Sequence, residues 1–235
     1  MLFSDNGGCA ENVAPNWYDV PSQTRDGRHI AMGESDHSVF AGLEHVWQSY
    51  GPAWANVSDT PFVLCKHFTH EGGIASPFIV RWPAVIKKPG AVSRQLGHVT
   101  DIMATVVQVA GAKHPEEYAG HRIQQLEGKS LLPVFKGKTR RDSSPIFWEH
   151  EGNRAERQRQ WKLVARQGRD WELYNVEVDR TEQNNLASTH PEKVKELPRL
   201  YDAWAKRCNV VPFDQLPREH RIQPEGTTPV PAAAR

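Results

Sequence analysis

Apolar and polar positions change rhythm along the chain, and those changes predict its elements. Through the first hundred residues short apolar runs alternate with stretches rich in Gly, Pro, His and Asp. Leu2-Phe3 reads as the end of a buried strand that turns polar at Ser4-Asp5-Asn6. "PFIVRWP" (77–83) is a near-continuous apolar run between prolines, the pattern of a strand covered on both faces. "TDIMATVVQVAGA" (100–112) has the helical period. Ile102, Val106 and Val109 fall at i, i+4 and i+7, as do Met103, Val107 and Ala110, with Thr100 placed to cap and Gly111 to end the helix. Strand, loop and helix in this order predict an α/β layered fold.

After a connector over 128–145 the period shifts to two. "PIFWEH" (145–150), "QWKLVAR" (160–166) and "DWELYNV" (170–176) alternate, and Gln167-Gly168 is a tight turn between the last two. They predict a small antiparallel sheet packed by a terminal helix over 189–207. In that helix Thr189 and Glu192 have capping-box spacing, and Val194, Leu197, Leu200 and Trp204 form one stripe that Pro198 should kink. Trp161, Trp171 and Trp204 fit core positions of this part. From Pro212 onward Pro, Gly, Thr, Arg and Ala dominate, which predicts a disordered tail. The expected organisation is therefore an α/β part over 1–140, a small β subdomain with its helix over 141–211, and the tail over 212–235.

Charge removes several functions from consideration. Lys plus Arg number 29 against 28 Asp plus Glu, so no net field draws nucleic acid or an acidic membrane. The basic cluster Arg154, Arg157, Arg159, Lys162, Arg166 and Arg169 is interrupted by Glu156 and reads as a solvated hairpin edge. No apolar run reaches the roughly 18–20 residues of a membrane span. Cys9, Cys65 and Cys208 are too few and too scattered for a disulfide framework or a structural zinc site, and read as buried thiols.

Two stretches can carry chemistry. Asp5 and Asn6, if they follow a strand end, offer the hard oxygens that suit Ca²⁺ or Mg²⁺; the plainer reading is an Asn-Gly turn. In "LCKHFTHEGGIASP" (64–77) Lys66 precedes Glu71-Gly72-Gly73, and the paired glycines permit positive φ or close backbone approach. A lysine on such a loop can grip a tetrahedral oxyanion; the plainer reading is a surface lysine beside a turn. His67 and His70 flank the same loop, but as a metal pair they have no third ligand in the sequence.

Taken together and in order, "FSDNGG", "GPAWANVSDTPFVLCKHFTHEGGIASPFIVRWP", "VTDIMATVVQVAGA", "LEGKSLLPVFKG" and "WELYNVEVDRTEQNNLA" resemble the C-terminal portion of the sulfatase family, arylsulfatase-like members of the alkaline phosphatase superfamily. The resemblance runs from residue 3 to about 208, and Lys-x4-Glu-Gly-Gly-Ile before a Pro-led strand is its most specific piece. It implies an incomplete alkaline-phosphatase-like α/β sandwich, the C-terminal part of a large parallel or mixed sheet, plus the small antiparallel sheet. It implies that Asp5 and Asn6 bind the family's divalent cation, usually Ca²⁺, and that Lys66 contacts the sulfate and supports the departing oxygen; of the flanking histidines either His67 or His70 could line the substrate pocket, and His70, directly before Glu71, is the expected one. The substrate is then a small-molecule or saccharide sulfate ester, hydrolysed through a formylglycine made from Cys or Ser in a Cys/Ser-x-Pro-x-Arg motif.

No such motif occurs in these 235 residues, and the early Asp-Asp metal ligands of the family are likewise absent. Where relatives carry Arg after Gly-Gly-Ile, this chain has Ala75. The expectation is thus a sulfatase portion whose nucleophile lies upstream and which is inactive alone. A phosphate-ester hydrolase of the same superfamily and a non-catalytic binding protein derived from it are the alternatives.

Overall fold

The structure, a computed structural model, describes residues 1–11, 22–32, 40, 42–49, 51–140 and 144–217. In chain order its elements are β1 (Leu2–Phe3), β2 (Ala31–Met32), β3 (Val46–Trp47), α1 (Gly51–Asp59), α2 (Glu71–Ile74), β4 (Phe78–Ile79), α3 (Thr100–Val109), β5 (Glu117–Tyr118), β6 (His121–Arg122), α4 (Leu132–Phe135), β7 (Ile146–His150), β8 (Asn153–Gln158), β9 (Trp161–Ala165), β10 (Glu172–Asn175) and α5 (Pro191–Arg207). They fall into two units by their contacts: Met1–Asp5 with Pro77–Ile146, and Asn6–Ser76 with Phe147–Arg235.

The second unit is built on the C-terminal meander, with one strand more than the alternation predicts. The sheet order is β10-β9-β8-β7, so β8 is an inner strand. Its sequence, NRAERQ, is polar and gives no apolar alternation. It is held by register: Ala155 lies opposite Val164, and Glu156 opposite Leu163. Period two then sends side chains to alternate faces. On one face Leu163 and Leu173 pack with Leu197 of α5, flanked by Trp161, Trp171, Val194 and Leu200. On the other, Ala155, Val164, Tyr174 and Val176 form a second cluster with Trp148 against it. The basic cluster is therefore no solvated edge. Lys162 is fully buried, and Arg154 lies 4.3 Å above the Trp171 ring.

α5 carries the expected stripe, and Trp204 stacks on Phe147 at 5.2 Å. Two details differ from expectation. The N-cap is His190 with no side-chain cap bond, because the Thr189 hydroxyl donates to Leu186 O instead. Pro198 lies inside a helix assigned without a break. The start of the expected disordered tail forms a 3-10 turn over Phe213–Gln215 with Phe213 buried; residues 218–235 of that tail lie outside the described residues. The cysteines are unbridged, Cys9 and Cys65 half-buried and Cys208 exposed rather than buried.

In the first unit β1 pairs antiparallel with β4, Leu2 opposite Ile79 and Phe3 opposite Phe78. The run at 77–83 thus gives a two-residue strand, and its side chains are exposed rather than covered. α3 is where predicted, but its orientation reverses the expectation. Met103, Val106 and Val109 are exposed, while Asp101 and Thr105 are buried. The polar face is the anchored one because each group on it is bonded. Asp101 accepts from His98 N–H at 3.0 Å and Lys129 N–H at 2.7 Å, and pairs with Arg140 at 2.8 Å. The Thr105 hydroxyl donates to Asp101 O and accepts from Leu131 N–H at 2.8 Å. This polar seam ties the connector after residue 128 to the helix.

Among the described residues no helix is long and apolar enough to cross a membrane.

Candidate active site

Two segments far apart in sequence meet in the second unit. Gly7 N–H donates to Gly73 O at 2.9 Å, and Lys66 N–H donates to Gly8 O at 2.9 Å. The contact is backbone on backbone, which is why glycines are required. A Cβ on Gly7 would lie 1.7 Å from Gly72 O, and one on Gly73 would lie 1.9 Å from Phe68 O. Neither Gly72 nor Gly73 has positive φ, so of the two reasons for paired glycines it is close approach that applies. Gly8 N–H also donates to Asp59 Oδ1 at 2.7 Å, at the end of α1. The other oxygen of that buried carboxylate, Oδ2, has no hydrogen-bond partner, and burial pushes the Asp59 carboxyl up.

Lys66 extends from this junction. Its Nζ lies 2.8 Å from Glu11 Oε2 and 3.8 Å from Cys9 Sγ, and its side chain is 35% exposed. It is a cation held by a built environment yet open to solvent, not a floating surface lysine. The Glu11 hydrogen bond raises its pKa, with burial opposing. Burial acts to raise the Glu11 carboxyl, but hydrogen bonds from Lys66 and Cys9 and the Lys66 charge hold it below the usual range. The Cys9 thiol is pushed up, first by burial, and the Cys65 thiol up to about 11 for the same reason. Neither is a thiolate of the reactive kind.

His67 and His70 part company. His67 Nδ1 lies 2.8 Å from Glu151 Oε2, its Nε2 lies 3.2 Å from Asn153 Nδ2, and its ring meets His150 at 5.3 Å. Burial lowers its pKa, with the Glu151 carboxylate opposing. His70 turns inward, 4% exposed, with Nε2 3.4 Å from Glu172 Oε2. The ring thus faces a carboxylate of β10 and is buried. Glu71 follows it into the core. Its carboxylate lies 3.0 Å from Lys162 Nζ, Lys162 lies 2.8 Å from Glu182, and Glu182 in turn accepts from Glu71 N–H at 2.8 Å. Arg180 reaches the outer Glu71 oxygen at 3.4 Å. Burial acts to raise the Glu71 carboxyl and the Lys162 charge overrides it, leaving it ionised and low. This closed network fastens α2, and with it the Lys66 segment, to the face of the sheet opposite α5.

Asp5 is exposed, and Asn6 is half-buried with its amide nitrogen donating to Gly7 O at 2.7 Å. The donor atoms a cation would use at this pair are a carboxylate and an amide oxygen, a hard set suited to Ca²⁺ and not to zinc. Glu11, Asp59 and Glu151 were not legible as parts of the site. The Glu11 and Glu151 signals are single acidic residues in loops, and only the fold brings them to Lys66 and His67.

Comparison with known proteins agrees with this architecture. Residues 63–201 match the family model described as N-sulphoglucosamine sulphohydrolase, C-terminal. An uncharacterized sulfatase of Schizosaccharomyces pombe is 35% identical over 173 residues, 71% of this chain and 31% of that protein. An N-acetylgalactosamine-6-O-sulfatase of Bacteroides thetaiotaomicron is 30% identical over 163 residues, 60% of this chain and 29% of that protein. The crystal structure of Ps i-CgsB superposes with a TM-score of 0.56 at 25% identity, over 66% of this chain and 34% of that one. The chain thus spans about a third of the length of the relatives it matches. With more than half of its residues inside the family model, it belongs to the sulfatases of the alkaline phosphatase superfamily, as a match to their C-terminal part.

Proposed function

We propose that this chain supplies part of the active site of a sulfuric ester hydrolase, with Lys66 as the sulfate-binding cation and Asp5 and Asn6 as oxygen ligands of a Ca²⁺-class ion. The observation that carries the reading is the backbone junction of Gly7 and Gly8 with Lys66 and Gly73, which brings the turn after Asn6 and the lysine segment together. A sulfate ester already carries negative charge, so an incoming nucleophile needs positive charge at the sulfuryl oxygens. Lys66 supplies one such charge from a position already fixed by α2 and the Glu71–Lys162–Glu182 network. A divalent ion at Asp5 and Asn6 would polarise the sulfate further. Glu11 occupies Lys66 in the absence of substrate, so an arriving sulfate exchanges one anion for another at the ammonium. His70 is a positioning residue in this reading: it anchors the segment on Glu172.

The names of the relatives support a carbohydrate substrate. One acts on N-acetylgalactosamine 6-sulfate groups, and another, 44% identical over 73 residues and from Formosa agariphila, is an ulvan-active sulfatase. We assign this chain to sulfate esters of saccharides on that ground. Because the 235 residues hold no Cys/Ser-x-Pro-x-Arg nucleophile, we assign no turnover to the chain by itself.

The test joins the chain to a segment carrying that motif, with the maturation enzyme present, and measures aryl sulfate turnover. Lys66→Ala should lower it by about 10²–10³, or about 3–4 kcal/mol, as for one preorganised donor at a developing charge. Asp5→Ala and Asn6→Ala should each impair Ca²⁺ binding seen by calorimetry. Near-normal turnover in the lysine variant returns Lys66 to a surface role, and undiminished Ca²⁺ binding in both others removes the metal assignment.

A further inference from the structure

His67, read from sequence, lacked partners for a metal; the fold provides them 83 residues downstream. From the geometry we infer that His67, His150 and Glu151 form a binding site for a zinc-class divalent cation, separate from the hard-oxygen pair Asp5-Asn6. One ligand atom from each of the three can be chosen so that all lie within 4.8 Å of one another. Four-coordinate zinc with nitrogen and oxygen ligands near 2.0–2.2 Å spaces those ligands about 3.3–3.5 Å apart. The His67–Glu151 pair, now 2.8 Å apart, must open slightly, and His150 must close in. His150 is exposed, and its ring already lies against that of His67.

The donor chemistry selects the ion. Two imidazoles and one carboxylate suit zinc and its neighbours, whereas Ca²⁺ takes six to eight oxygens. Three protein ligands leave the fourth position to water or to an incoming group, and the half-exposed Glu151 and exposed His150 leave it an entry path.

The backbone is arranged to present these side chains. His150 and Asn153 flank a two-residue hairpin loop, Glu151-Gly152, with φ of 52° and 81°. Such a loop favours Asn-Gly or Asp-Gly; a glutamate at its first position is held in a left-handed conformation that its long side chain does not prefer. His67 has φ of 93°, a second left-handed non-glycine residue in the same cluster. Asn153 donates from its amide nitrogen to His67 O at 3.3 Å and His150 O at 3.1 Å, fixing the two histidine backbones against one another. With a cation on His67 Nδ1 the proton moves to Nε2, and the His67 ring must swing off the Asn153 amide nitrogen, which stays on the two histidine carbonyls. A bound cation would tie the backbone next to Lys66 to the β7–β8 hairpin.

The test is a titration of the full chain with Zn²⁺ after saturation with Ca²⁺, repeated with Co²⁺ to read its visible d–d bands. Saturable one-to-one binding is expected, with the band pattern of a nitrogen-rich, low-coordinate site. His150→Ala and Glu151→Gln, both at the hairpin turn outside the two apolar clusters, should each weaken it about tenfold or more. His121→Ala, on a separate exposed hairpin, should leave it unchanged. No saturable binding, octahedral cobalt bands, or binding that survives both hairpin variants would overturn the site. The outcome is independent of sulfate turnover, so it stands or falls apart from the reading of Lys66.

Discussion

The meander with α5 and the helix α3 with its short strands solve opposite problems. In the meander, charged residues go inside: Lys162, Glu156 and Glu182 are buried, as Leu163, Leu173 and Leu197 are. In the first unit many apolar residues go outside: Leu2, Phe3, Phe78, Ile79, Met103 and Val106 are all exposed, while the polar Asp101 and Thr105 are buried beside Leu131 and Phe135. The difference teaches that burial follows partners and not polarity. Lys162 is buried because two carboxylates meet it, and Asp101 because two N–H groups and a guanidinium do. The exposed apolar side chains of the first unit form a surface of the kind that associates.

The sharpest way to break the comparison is to remove the cation of the buried network. Lys162→Met keeps much of the volume but leaves Glu71 and Glu182 facing each other without their shared ammonium. Arg180 touches only the outer Glu71 oxygen from a half-exposed position and cannot replace it. The expected cost is about 3–5 kcal/mol in denaturant unfolding, with α2 and the Lys66 segment loosened first in hydrogen exchange. A loss under 1 kcal/mol would mean that the network is dispensable and that the apolar clusters alone hold the sheet.

A pH-dependent effect separates paired from unpaired buried charge. Glu156 is fully buried opposite Leu163, and neither carboxylate oxygen has a side-chain partner. Burial pushes its carboxyl up to about 8 from an ordinary 4.5. Below 4.5 the folded and unfolded chains both hold the proton and this group has no effect on the balance. Between 4.5 and 8 the unfolded chain releases the proton while the folded chain keeps it, so stability falls as pH rises, by up to about 1.4 kcal/mol per pH unit. Above 8 the slope from this group ends. Glu156→Gln should flatten the stability profile across that window in pH-dependent unfolding; an unchanged slope would assign the dependence to other groups.

How much of this was readable depended on whether partners were local. The strands of 145–176 and the stripe of α5 were legible because leucine and tryptophan positions there repeat at the period of their element. β8 was not, because its burial comes from neighbours on both sides and its own sequence alternates Arg with Ala and Glu. The importance of Lys66 and of the Gly72-Gly73 pair was legible as a motif; the reason for the glycines, a backbone crossing by Gly7, was not. His70 and His67 sit three residues apart with the same side chain, yet one reaches Glu172 and the other Glu151. Nothing in local spacing distinguishes them, since the deciding residues lie about a hundred positions downstream.

The smallest expected effect tests the other half of the comparison. If the apolar face of α3 has no packing role within this chain, replacing it with polar helix formers should not cost stability. Met103→Gln together with Val106→Gln keeps helix propensity close to the original and changes only the exposed surface. The polar seam on the opposite side, Asp101 with Arg140 and Thr105 with Leu131, is untouched. Unfolding free energy should therefore shift by no more than about 0.5 kcal/mol, as for surface substitutions generally. Self-association and binding of an apolar dye should fall at the same time, because two exposed apolar groups of this face are gone. A stability loss above about 1 kcal/mol would show that this face is packed, and that the first unit, like the meander, is held by an apolar core after all.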